Sequence, residues 1–159
     1  VGRENFTGLK DIYIYENTDA FERFFLIEKL RTLPGDGAVL DAVAGADLGT
    51  LRRTGFIRAG DLPRGVSAEK GYSGAGTISV KSYAPDRIIL DVSLRGEQVL
   101  VATNAYTPDW RVYIDGAPGK IFPVDYAFWG VRLPAGAKRI EFSYEPWRLG
   151  RLGRLPSSR

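Results

Sequence analysis

The sequence predicts a mainly β protein: an antiparallel β-sandwich, jelly-roll or Ig-like, with a short helix and a mixed N-terminal part. Three observations carry that expectation. From residue 77 onward apolar and polar residues alternate with the period of two that sends successive side chains to opposite faces of a strand. Turn residues interrupt these runs every ~8–12 residues, the spacing of a sandwich. Asp115-Gly116, straight after the alternating run Trp110–Asp115, is a strong two-residue turn signal, because Gly accepts positive φ at no steric cost.

Residues 1–10 are polar, and Asp11–Tyr15 alternates aromatic and β-branched residues as a strand does. Glu16-Asn17-Thr18-Asp19 breaks it. Phe24–Glu28 reads as a second extended segment. A helix over Asp19–Leu30 competes, since Phe21, Phe24, Phe25 and Ile27/Glu28 also fit helical spacing, and periodicity does not decide so short a run. Thr32–Gly37 reads as a loop around Pro34-Gly35-Asp36-Gly37. Residues 46–54 make the best short helix: Asp47 caps it, Leu48 and Leu51 sit three apart, and Gly55 ends it. Phe56-Ile57 opens a short strand. Arg58–Gly76 is polar and carries Gly60, Gly65, Gly71, Gly74, Gly76 and Pro63, as a loop or linker does. Its Gly71–Gly76 run lacks the helix and the Lys-Ser/Thr that a phosphate-binding loop needs.

The strands of the second half then follow: Thr77–Tyr83, a turn at Ala84-Pro85-Asp86, Arg87–Leu94 with Ile88, Leu90, Val92 and Leu94 on one face, a turn at Gly96-Glu97, and the apolar Gln98–Asn104. Trp110, Val112 and Ile114 share one face, opposite Tyr113. Val131–Leu133 stops at Pro134-Ala-Gly136. In Arg139–Tyr144, Ile140, Phe142 and Tyr144 oppose Arg139, Glu141 and Ser143. The expected organisation is a single domain, 1–159: a mixed part (1–57), a Gly-rich loop (58–76), the sandwich strands (77–147) and a basic tail (148–159) leading toward a membrane segment.

The 159 residues suffice for one core, and 44% hydrophobic with 26% charged residues is a globular composition. A formal charge of +3 is too small to argue nucleic-acid binding. The absence of cysteine and histidine removes thiolate metal sites, disulfides and the usual general base. With no methionine and a first residue Val1, the chain reads as a piece of a longer protein. Asp115 and Glu141 are weighed as a glycosidase pair, but a turn explains the first and a solvated strand face the second. Asp86, Asp91 and Asp109 lack the compact spacing of a calcium loop. No catalytic residue, metal or cofactor is expected.

The residues that read as a binding surface are Tyr126, Phe128 and Trp129, taken as an exposed aromatic patch in a connection between strands, with Asp125 and Arg132 beside them. Sugar C–H faces stack on aromatic rings while Asp and Arg bond hydroxyls. Trp110 reads as core, and so does Tyr106. In the tail, Arg148, Arg151, Arg154 and Arg159 punctuate Leu149, Leu152 and Leu155, a pattern that fits either a solvated tail or a membrane surface.

Five stretches, in order, resemble a known family. Tyr15-Glu-Asn-Thr-Asp-Ala-Phe with Arg23-Phe-Phe-Leu-Ile looks like "YENPxALPRAFLV". Tyr83-Ala-Pro-Asp-Arg-Ile-Ile-Leu-Asp-Val looks like "YxPNxIxLxV", and Leu100–Gly116 looks like "LVLSETYYPGWKVYVDG". Ala127-Phe-Trp-Gly-Val-Arg-Leu-Pro-Ala-Gly looks like "AFRGVxLPAG", and Phe142-Ser-Tyr-Glu-Pro like "FxYxP". They resemble the C-terminal region of YfhO-like bacterial membrane proteins, which are similar to GT-C glycosyltransferases. Asp109 departs from the usual Gly, and Trp129 from the usual Arg. The resemblance implies an extracytoplasmic, non-catalytic accessory domain, with the catalytic carboxylates in a membrane part outside this chain. Its partners would be that membrane-embedded part and a glycan or polyprenyl-linked sugar, with no nucleic acid. The alternative is a structural or protein-interaction module that packs on the membrane region and binds no ligand.

Overall fold

The computed structural model describes residues 3–4, 12–13, 16–17, 19–68 and 71–146. The tail 148–159 lies outside them, as does all but the centre of the strand expected at Asp11–Tyr15. β1 (Arg3–Glu4) and β2 (Ile12–Tyr13) form a small antiparallel pair. β3 (Phe24–Ile27) and β4 (Lys29–Leu33) follow, separated only by Glu28. Phe24–Leu30 is thus extended rather than helical. Next come α1 (Asp36–Gly45), α2 (Leu48–Arg53) and β5 (Thr54–Arg58). The second half is entirely β: β6 (Gly76–Tyr83), β7 (Arg87–Leu94), β8 (Gln98–Ala102), β9 (Trp110–Ile114), β10 (Ala117–Pro118), β11 (Ile121–Val124), β12 (Phe128–Leu133) and β13 (Arg139–Tyr144).

Two sheets make the sandwich. One has the order β10-β9-β13-β7-β6, the other β11-β12-β8-β3, and every pairing in both is antiparallel. Between them lie Ile88, Leu90, Leu100, Val112, Trp129, Val131, Ile140 and Phe142, the face-alternating residues of their strands. The mainly β, sandwich-like fold is therefore present.

The four-stranded sheet is buried on its other face too. Ile27, Val99, Val101, Phe122 and Val124 meet Leu30, Ile57, Val66 and Tyr72 there. β8 consequently has all five residues buried, which is why it reads as an unbroken apolar run rather than an alternating one. The covering layer comes from the mixed N-terminal part. β4 and β5 pair in parallel, joined through α1 and α2, since parallel neighbours need a crossover. The Glu28 N–H donates to the Arg53 carbonyl (2.8 Å), and the Tyr72 N–H donates to the Glu28 carbonyl (2.7 Å), tying this layer together.

Several local expectations are corrected. The Thr32–Gly37 loop shrinks to Pro34-Gly35, because β4 runs to Leu33 and α1 starts at Asp36, whose charge favours a helix N-terminus. Asp47 does cap α2, accepting from the Thr50 N–H at 2.8 Å, but Gly55 does not end it. Gly55 sits inside β5, where a Cβ would come within 2.7 Å of Val124 and 2.9 Å of Ile27. Within Arg58–Gly76, Val66 and Tyr72 are buried and Gly76 already belongs to β6. The Tyr72 hydroxyl donates to the Ser67 carbonyl (2.9 Å), and the buried Gln98 accepts from the Gly74 N–H (3.1 Å).

Candidate functional site

The sequence-predicted patch does not hold together. Trp129 is 1% exposed and faces the interior of the sandwich. Its ring lies 4.9 Å from Trp110 and 5.1 Å from Phe142, and its indole N–H donates to the Ala105 carbonyl at 2.8 Å. It belongs to β12, not to a connection. Phe128, one residue earlier, points to the opposite face and packs against the second core. Period-two geometry separates the two rings across the sheet. Arg132 is four residues beyond Phe128 along β12, roughly 13 Å away at strand rise. It pairs with Glu97 and lines a different cleft, with Arg64, Lys120 and Phe122.

Tyr126 and Asp125 stay together, in the hairpin between β11 and β12. Both have positive φ, 50° for Asp125 and 73° for Tyr126, a conformation that costs a non-glycine residue and often marks functional loops. The hairpin is held by a two-point clamp. Asp125 accepts from the Phe56 N–H through its carboxylate (2.8 Å), while its own N–H donates to the Phe56 carbonyl (2.8 Å). Burial pushes the Asp125 carboxyl up to about 6, against the opposing effect of the Phe56 N–H. Its role is to fasten the hairpin to β5; the carboxylate is engaged by backbone rather than presented to a ligand.

The clamp leaves Tyr126 53% exposed on the rim of a cleft of about 280 Å³. Tyr106, 41% exposed, lines it too, and its N–H donates to the Ala127 carbonyl at 2.7 Å. Tyr106 is therefore surface, not core. Phe56, Ile57, Val39 and Pro123 line the cleft with them, and Arg58, Asp36 and Asp61 add charge. Arg58 meets Asp61 through two bonds of 2.9 Å and reaches Asp36 at 3.6 Å. The arrangement offers two phenol rings, two carboxylates and a fixed guanidinium around one concavity. Arg58, Asp36 and Asp61 were not legible as site residues, because they come from α1, β5 and the turn after it, far from Tyr126 in sequence.

The other weighed groups are accounted for. Asp115 accepts from the N–H groups of Lys138 (3.1 Å) and Arg139 (2.8 Å). Glu141 pairs with Arg87 at 2.7 Å and Arg139 at 3.5 Å. Asp91 pairs with Lys81 at 3.4 Å. Among the described residues no group of acidic side chains could hold a metal ion.

Residues 75–153 match the family described as bacterial membrane protein YfhO. The chain is YfhO-like. The matched span begins just before β6 and takes in every strand through β13, so it covers the last four of the five family-like stretches but not the first, at Tyr15 and Arg23. No curated protein and no solved structure matches the chain. Among the described residues of this YfhO-like chain, no helix is long and apolar enough to cross a membrane.

Proposed function

We propose that this YfhO-like chain is a non-catalytic, extracytoplasmic accessory domain of a glycosyltransferase-like membrane protein, and that it binds or positions a glycan or lipid-linked sugar. The observation that carries the reading is the cleft lined by Tyr106 and Tyr126. Phenol rings there can stack on sugar C–H faces, and the Arg58–Asp61–Asp36 set can bond hydroxyls. Binding residues collect on such loops, held by a rigid scaffold. The site moves from the Trp129 patch to this cleft, with Tyr126 the residue common to both.

A second reading has its own support. Arg58 is already satisfied by two carboxylates, as in a module that binds no ligand and packs on the membrane-embedded part of the same protein. A panel of bacterial envelope glycans, offered to the chain and to a Tyr106→Ala/Tyr126→Ala variant, separates the two. Selective binding lost in the variant supports the first reading, and no binding by either supports the second.

A further inference from the structure

We propose that the end of the sandwich carrying Tyr83, Tyr106, Tyr126 and Tyr144 lies against an anionic lipid bilayer surface. This surface shares Tyr106 and Tyr126 with the proposed glycan cleft and extends beyond it to Tyr83 and Tyr144, which do not line the cleft and on which the test below rests.

The strand registers put these four residues at one end. In the five-stranded sheet, Trp110 pairs with Tyr144, Ser143 with Arg87, and Tyr83 with Ile88. In the four-stranded sheet, Trp129 pairs with Ala102 and Phe24 also pairs with Ala102. The contacts of Trp129 with Trp110 and of Phe24 with Phe142 bring those two ends together. The connections 84–86, 103–109 and 125–127 therefore share one end. Among the described residues the exposed tyrosines all lie here. The opposite end, formed by 94–98, 115–119 and 134–138, contains no aromatic residue.

Tyrosine suits a membrane interface because its ring is apolar and its hydroxyl stays wet. Some of these rings are already oriented. Arg23 lies 5.2 Å over the Tyr83 ring and donates to its hydroxyl at 2.9 Å, while Tyr144 packs 5.4 Å from Trp110.

Two further facts select lipid as the occupant. The described chain leaves from this same end at Pro146, and its continuation, 147–159, contains Trp147, three leucines and four arginines with no acidic residue. Such a segment is attracted to anionic headgroups. The family matched over 75–153 is also one of membrane proteins.

The test is partition of the 159-residue chain onto phosphatidylglycerol-rich vesicles, read by sedimentation and by amide hydrogen exchange. The chain should bind, and exchange should slow in 103–106 and 125–127 but not in 115–119 or 134–138. Tyr83→Ser/Tyr144→Ser should weaken partition by about fivefold or more, about 1 kcal/mol. The proposal is overturned by no partition, by protection of the opposite end, or by partition and exchange that ignore the double variant. Equal partition onto pure phosphatidylcholine would overturn its anionic part. The exchange map stands even if the double variant fails to fold.

Discussion

Trp129 and Tyr126 are three residues apart and do opposite things. Trp129 fills the sandwich and bonds the Ala105 carbonyl, so Trp129→Ala should cost about 3–5 kcal/mol in chemical denaturation. Tyr126→Ala should stay within about 0.5 kcal/mol, because the side chain is exposed. The sequence shows an aromatic cluster there but not the strand that splits it, since the adjacent pair Phe128-Trp129 carries no apolar–polar alternation. Asp125 makes a separate prediction. Its folded value of about 6 lies above the ordinary 3.8. Between those values the folded chain keeps a proton that the unfolded chain has released. Stability should therefore fall as pH rises through that window, by at most about 3 kcal/mol, and level off above it. Asp125→Asn keeps an acceptor for the Phe56 N–H and tolerates positive φ. Urea titrations across the window should show that this variant removes the dependence; an unchanged slope would assign it to other groups.

At the scale of elements, the alternating strands β7, β9 and β13 were legible because one face is buried and the other solvated. The Asp115-Gly116 hairpin was equally legible, and both residues do have positive φ, 49° and 84°. What alternation could not convey is that the four-stranded sheet has two buried faces. α1 is not legible because its sequence, Asp-Gly-Ala-Val-Leu-Asp-Ala-Val-Ala-Gly, buries only Val39 and so carries little amphipathic signal. Gly130 depends on the double burial. It lies in β12 beneath Phe122 and Val124, and an added Cβ would overlap both. Gly130→Ala should therefore destabilise by about 1–3 kcal/mol, read from the midpoint of thermal or urea unfolding. A neutral result would mean that β11 lifts away without penalty.

For the whole molecule, the matched span and the folded unit do not coincide. Residues 75–153 omit β3, which pairs with β8, and the layer formed by β4, α1, α2 and β5. A chain cut to that span would expose Val99, Val101, Phe122 and Val124, an apolar face of the kind that drives association. It should aggregate or bind hydrophobic dyes, whereas a folded monomer of normal near-UV signal would show that the N-terminal layer is dispensable. The mainly β fold and the family likeness were both legible, because strand period and ordered short motifs are local properties. The cleft was not, because Tyr106, Tyr126 and Arg58 are brought together only by the clamp between Asp125 and Phe56 and by the crossover that places β5.

The most direct test of the account is a titration of envelope glycans against the intact chain and its Tyr106→Ala/Tyr126→Ala variant, both shown to be folded. The account predicts selective binding by the intact chain, weakened at least ~10-fold in the variant, about 1.4 kcal/mol. Binding that survives the double substitution would contradict the cleft as the site, and no binding to any glycan would contradict the function proposed for it.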